Sequence, residues 1–214
     1  MSDTHDRQGD IVVPGGDVLI HAGDFTMNGN LRKVRAFGSW LRSLPHAHKI
    51  VVAGNHELTF EQQPRRALAE LGNGADGLTY LQDSGIRIDG ISFWGSPWQP
   101  AFFDWAFNLQ RGAAIASKWA KIPDGTDVLI THGPPMGILD FVHDEHVGCA
   151  DLFERVVQVG PLVHAFGHIH AGSGVEARGE TMFVNASICD EEYRPSNPVR
   201  VLEIRDRKIV DRLP

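Results

Sequence analysis

The sequence is poor in cysteine, in long apolar runs and in basic charge. Two cysteines, Cys149 and Cys189, stand in 214 residues. That number excludes a disulfide framework and a cysteine-based zinc site, and it fits a reduced, cytoplasmic chain. No apolar run approaches the ~18 residues of a membrane span, and the polar start Met1-Ser2-Asp3-Thr4-His5-Asp6 does not read as a signal peptide. Lys and Arg number 20 against 27 Asp and Glu, a formal charge of −7. Such a surface has no strong footprint for nucleic acid. Bound metal escapes that count, since two divalent ions would add about +4 in one cleft. Histidine is what the chain has in quantity, eleven residues that form no tag-like run. Apolar residues make up 42% and charged residues 22%, so one α/β domain over residues 1–214 is expected.

Short apolar runs alternate with helical patterns. Residues 17–22 read as a buried strand that ends at Gly23-Asp24. Asn30 is placed to cap a helix whose apolar positions are Leu31, Val34, Phe37, Trp40, Leu41 and Leu44, with Pro45 closing it. Residues 49–53 form a second strand before Gly54-Asn55-His56-Glu57, and a helix is predicted over 61–71. Three short strands follow at 79–81, 86–88 and 91–94, with Asp89-Gly90 as a hairpin turn. Residues 95–110 read as a loop dense in aromatics, which either packs in the core or walls a base or sugar. A helix is predicted over 111–121, and a strand over 127–131 runs into His132-Gly133. A polar loop, 137–148, carries His143 and His146 and reads as surface first, with an approach to the site and substrate contact as the alternative. A helix follows at 151–159, and a strand at 162–166 runs into Gly167-His168-Ile169-His170. Later strands are expected at 181–184 and 199–204. Strand–helix alternation around a hairpin-rich middle predicts two stacked mixed sheets with helices outside.

Four of the strands are followed, within one to three residues, by a ligand-type side chain: Asp24, Asn55, His132 and His168. In open α/β sheets functional groups gather beyond the carboxyl ends of the strands. Asp3-x-His5 and His168-x-His170 add pairs two apart, which point the same way in extended backbone. Each segment alone has a bland reading. Gly-Asp is also a turn, and Gly-Asn-His suits a left-handed turn. His21 and His164 read as core residues, and His46 and His48 as solvated. The acidic runs at 144–145 and 190–192 read as solvated faces. The five segments in this order point to metal chemistry.

These motifs resemble the calcineurin-like metallophosphoesterases, whose pattern is D-x-H, GD, GNH[DE], a single His after a strand, and GHxH. Residues 19–26, 53–60, 95–100, 104–108 and 193–195 look like the metallophosphoesterase-domain branch. The resemblance implies a four-layer αββα sandwich and a dinuclear phosphodiesterase. Carried over, Asp3, His5, Asp24 and His170 hold one divalent ion, and Asp24, Asn55, His132 and His168 the other. The mixed N/O donor set suits Mn²⁺, with Fe, Zn²⁺ and Ni²⁺ as alternatives. A metal-bound hydroxide then attacks phosphorus, and Asn55 and the ions stabilise the equatorial oxygens. His56 either protonates the leaving group or orients Asp3.

The substrate this implies is a small phosphodiester, cyclic nucleotides among the candidates. The rival readings are a nuclease and a binding scaffold of the same fold. Oligomeric state is not legible. One departure stands out: only Met1-Ser2 precede Asp3, so the family's first strand looks truncated. That predicts a weakly anchored Asp3-His5 and an α-amino group close to the cations.

Overall fold

Period-two burial builds two sheets, and amphipathic helices close their outer faces. The computed structural model describes residues 1–213. After β1 (Val18–His21) the chain enters α1 (Leu31–Ser43), β2 (His48–Val51), α2 (Leu58–Gln62), α3 (Pro64–Leu71) and β3 (Leu78–Tyr80). The middle holds β4 (Ser84–Ile88), β5 (Ile91–Ser96), the short β6 (Gln99–Pro100) and β7 (Asn108–Leu109), and α4 (Ala113–Trp119). Then come β8 (Val128–Thr131), β9 (Phe141–Val142), β10 (Glu145–His146), α5 (Ala150–Val159) and β11 (Val163–Phe166). The last strands are β12 (Gly174–Arg178), β13 (Thr181–Asn185), β14 (Val201–Arg205) and β15 (Lys208–Leu213).

The first sheet is parallel, in the order β1-β2-β3. The second runs β12-β13-β11-β8-β5-β4. Its four inner strands are parallel, and β12 and β4 pair antiparallel at its edges. Three apolar seams separate four layers. Val34, Phe37, Leu41 and Leu71 pack the helical layer of α1 and α3 against Val51 and Leu78 of the first sheet. Ile50 and Val52 meet Val128, Ile130, Val163 and Ala165 between the sheets. Leu129 and Phe166 pack on Trp119, Leu152 and Val156 of α4 and α5. Strand β8 shows the rule: Val128 and Ile130 face the other sheet, and Leu129 between them faces the helices. The layers are therefore the αββα sandwich that the sequence implied.

Local chemistry explains most boundaries. The Asn30 side chain accepts from Arg32 N at 2.9 Å and so caps α1. The helix expected over 61–71 is two helices. Pro64 opens α3 at its first turn, where its missing N–H costs nothing, and α2 ends just before it. The aromatic segment divides: Phe107 is fully buried, whereas Phe102 and Phe103 are exposed. The segment 137–148 contains the β9–β10 hairpin, with His143 and Asp144 in its left-handed turn. His46 is buried, not solvated, and its Nε2 lies 3.0 Å from Pro14 O. Among the described residues, no helix is long and apolar enough to cross a membrane.

Phe37 is fully buried and stacks on Phe25 with centroids 4.3 Å apart. Phe37→Ala is expected to cost about 3–5 kcal/mol, and Asn30→Ala about 1 kcal/mol. Urea midpoints of the two variants should fall in that order, with unchanged m-values.

Candidate metal centre

The parallel strands β1, β2, β8 and β11 deliver Asp24, Asn55, His132 and His168 to one end of the sandwich. The first two come from one sheet and the last two from the other. Asp3 and His5 arrive from the N-terminal segment, which is anything but loose. Met1 O accepts from Ala22 N at 3.0 Å, Asp3 N donates to Gly23 O at 2.9 Å, and Ile188 N donates to Ser2 O at 2.9 Å. Ser2 also forms a parallel bridge with Ser187. Residues 1–2 thus run as a short extended strip between the β1 end and the 187–188 segment, and Asp3 turns off it in left-handed backbone. The Asp3 carboxylate is fully buried and accepts from His168 N at 3.0 Å and Ser187 Oγ at 2.9 Å. This corrects the weak anchoring expected from the sequence. Burial also pushes the α-amino group down to about 5, so at neutral pH it carries little of the like charge expected near the cations.

The donor atoms converge. Asp24 Oδ2 lies 3.2 Å from His132 Nε2, 3.9 Å from His56 Nε2 and 4.0 Å from His5 Nε2. Asp3 Oδ1 lies 3.4 Å from His170 Nε2, and His5 Nε2 is 3.2 Å from His170 Nε2. Asn55 Oδ1 is 2.9 Å from His132 Nε2. Two donors on one ion, each about 2.1 Å from it, stand about 3.0–4.0 Å apart for angles of 90–140°. Three overlapping sets keep their ligand atoms within 4.8 Å: Asp3, His5 and His170; His5, Asp24 and His56; Asp24, His132 and His168. The middle set, through His56, was not anticipated.

The second nitrogens fix which atoms face inward. His132 Nδ1 lies 2.9 Å from Ala22 O, His170 Nδ1 2.8 Å from Asp190 O and His56 Nδ1 2.6 Å from Met27 O. A carbonyl accepts only, so each Nδ1 carries a proton and each neutral ring presents an Nε2 lone pair. Buried lone pairs facing one another need a shared cation. The His5 Nδ1 atom is buried with no partner, a further unmet polar group at the same place. The residues therefore fit divalent metal.

The electrostatics agree. Burial opposes ionisation of Asp24, yet His132, His56 and His5 hold its carboxyl below the usual carboxylate range. Burial likewise opposes charge on His132, yet Asp24 pushes it up to about 9, so the Nε2 facing Asp24 takes up a proton where a divalent ion would take its place. Burial draws His5 and His168 down to about 4, leaving them neutral ligands at physiological pH.

The backbone is shaped for this purpose. Asp3, His5, Asp24 and His168 all take positive φ, 53°, 41°, 53° and 67°. Such strain in non-glycine residues costs of order 1–3 kcal/mol each and gathers at functional sites. The motif glycines allow close approach. A Cβ on Gly54 would sit 2.2 Å from Asp24 Oδ1, and one on Gly167 2.0 Å from Asp3 Oδ2.

Several contributors were not assigned from the sequence. Glu57, fully buried, accepts from Asp24 N and Gly54 N at 2.8 Å, Thr26 N at 3.0 Å and Thr26 Oγ1 at 2.9 Å. It ties the loop after β1 to the loop after β2. Its place in the Gly-Asn-His-Glu run was the available signal. Ser187 carried none. Asp190, expected on a solvated face, instead folds the 190–194 turn. Its carboxylate accepts from Glu192 N, Arg194 N, Arg194 Nε and Ser196 Oγ. That turn sets Tyr193 edge-on against His5 and His170, at 4.8 and 5.5 Å between centroids. The Trp105 ring lies 4.3 Å from that of His56. Asp3 takes its hydrogen bonds from His168 N and Ser187, and His56 turns instead to Met27 O. His21, beside Thr4 Oγ1 at 3.1 Å, and His164, beside Thr131 Oγ1 at 2.8 Å, are core residues, as read. Above the cluster opens a cleft of about 1090 Å³, reaching from His5 and Asp24 to Phe102 and the β9–β10 hairpin.

Comparison with known proteins gives the same picture. The family pattern described as Calcineurin-like phosphoesterase matches residues 2–172. The human Metallophosphoesterase domain-containing protein 1 is 48% identical over 95% of this chain and 69% of its own length. The UPF0046 protein K07C11.7 of Caenorhabditis elegans is 44% identical over 89% of this chain and 69% of its own length. The solved structure of TT1561 from Thermus thermophilus superposes with a TM-score of 0.61 at 15% identity, covering 92% of this chain and 85% of that one, a likeness of fold alone. With the metal-binding cluster assembled and the pattern matched over most of its length, the chain belongs to the calcineurin-like phosphoesterase family.

Proposed function

We propose that this protein hydrolyses small phosphodiesters with two divalent cations, Mn²⁺ foremost. The observation that carries the reading is a single carboxylate, Asp24, set among the Nε2 atoms of His5, His56 and His132 at the floor of an open cleft. Asp3, His5, Asp24 and His170 would hold one ion, and Asp24, Asn55, His132 and His168 the other. Ions so held supply Lewis acidity and lower the pKa of water to about 7.

The chain's own groups do the rest. The Asn55 amide faces the cluster and holds a phosphoryl oxygen as charge builds on it. His56, held by Nδ1–H on Met27 O, turns Nε2 inward; as the imidazolium it gives its Nε2 proton to the departing alkoxide and is left as the neutral ring. Trp105 covers the outer face of that ring and limits access of water. The cleft has room for both substituents of a diester, and the presence of every carried-over ligand favours an enzyme over a scaffold. Two buried free thiols, Cys149 and Cys189, support a reducing, cytoplasmic setting.

Wild-type protein with Mn²⁺ should turn over bis(4-nitrophenyl) phosphate, and Asp24→Asn should lower kcat by at least about 100-fold. Absence of turnover with every divalent metal tried would overturn the reading. His56→Ala should leave 4-nitrophenyl esters little affected and slow alkyl esters severely, because only a poor leaving group needs the proton. Equal losses on both would remove the proton-donor role. Glu57→Gln puts an amide N–H against backbone donors. Metal affinity, followed by titration calorimetry, should fall about 10–100-fold.

A further inference from the structure

One wall of the cleft is not used by the chemistry above. It is built from Arg111 and the β9–β10 hairpin, and both Arg111 and His146 line the cavity. Arg111 donates from Nη1 to Gly148 O at 2.6 Å and from Nη2 to Val147 O at 2.7 Å. Its guanidinium has five N–H donors and stays charged at any working pH. Those two bonds fix its position and leave donors over. Asp104, Glu145 and Glu191 also line the cleft, and the bonds Arg111 makes go to the carbonyls of Gly148 and Val147.

His146 is the second element. Its Nδ1 lies 2.6 Å from Asp140 Oδ1, in the short range of charge-assisted hydrogen bonds. Asp140 is fully buried, and its Oδ2 accepts from Gly137 N and Gly148 N, each at 2.9 Å. The carboxylate therefore clasps both ends of the 137–148 segment and holds the His146 ring by one nitrogen. The side chain of His146 is 52% exposed. A buried carboxylate spent on a half-exposed histidine is an arrangement that a surface loop does not need. The same wall of the cleft thus carries a guanidinium braced on Val147 O and Gly148 O and, at the preceding position 146, a carboxylate-held imidazole.

Resting on the phosphoesterase reading, we propose that Arg111, through its free N–H groups, and His146, through Nε2–H of the imidazolium that Asp140 holds by Nδ1–H, form a second anion-binding point, which receives a phosphate or carboxylate that the substrate carries besides its scissile phosphoester. The metal ligands serve the scissile group. Arg111 and His146 select among phosphoesters for those with a second negative charge. Asp140 acts on this selection only by positioning His146.

Titration calorimetry on the Mn²⁺-loaded protein tests the assignment without turnover. The probes are propylphosphonate, with one anionic group, and 3-phosphonopropionate, with two. The wild type should bind the second about tenfold more tightly, the value of one hydrogen bond to a charged group. Arg111→Gln keeps an N–H for a carbonyl and loses the charge, and His146→Ala removes a half-exposed ring and spares the Arg111 brace. In each the ratio of affinities should fall toward one; Arg111→Gln should melt near wild type, and His146→Ala lower, because the buried Asp140 Oδ1 loses its partner. Equal binding of both probes by the wild type, or an unchanged ratio in both variants, overturns the second anion point and leaves the phosphoesterase reading intact. A wild type that binds neither phosphonate overturns both.

Discussion

Carboxylate and imidazole groups crowded into one dry corner set the terms for this molecule. Asp24 Oδ2 stands within 4.0 Å of three imidazole nitrogens, and His5 and His170 turn Nε2 atoms toward each other at 3.2 Å. Such an assembly is unfavourable in a dry interior unless something positive is shared. A protein can maintain it only if the surrounding backbone over-determines each side chain. Most of the fold around the site serves that end. Left-handed backbone turns four of the ligands inward, and carbonyls of Ala22, Met27 and Asp190 pin three ring nitrogens. Glu57 clamps two loops with one carboxylate, and Ser187 with His168 N locks Asp3.

The layers supply the frame. Parallel strands end together, so β1, β2, β8 and β11 deliver their loops to a common edge without a long connection. The N-terminal strip joins that edge from between the β1 end and the 187–188 segment, which makes Asp3 and His5 among the most enclosed polar residues of the chain. The α-helices α1, α3, α4 and α5 lie on the far faces and contribute no candidate ligand, whereas His170 opens a short 3-10 turn at the site. Catalytic geometry and helix packing are therefore separate concerns in this chain.

The sandwich and the convergence of candidate ligands were largely legible in the sequence, because short continuous apolar runs followed by ligand-type residues leave a strong trace. Phe37, Leu41 and the Asn30 cap made α1 plain for the same reason. What escaped notice depends on contacts distant in the chain. Asp190 looked like one of three solvated acids, yet it organises its turn through four donors. His46 sat among polar residues, yet tertiary packing buries it against Pro14. The anchoring of Asp3 depends on Ser187, which is 184 positions away and has no local signature. Pro64 was seen, but the break it makes between α2 and α3 needed the preceding turn to be weighed as well.

Because one half of the cluster hangs from each sheet, the central seam doubles as the gauge of the instrument. Ile50, Val52, Ile130 and Ala165 keep the sheets in register, and a slip of one ångström along that seam would respace His132 from Asp24. Exchanges in this interior, though remote from the cluster, therefore bear on how far His132 stands from Asp24 as well as on stability. Rigidity here is a dimension to which the cluster is cut.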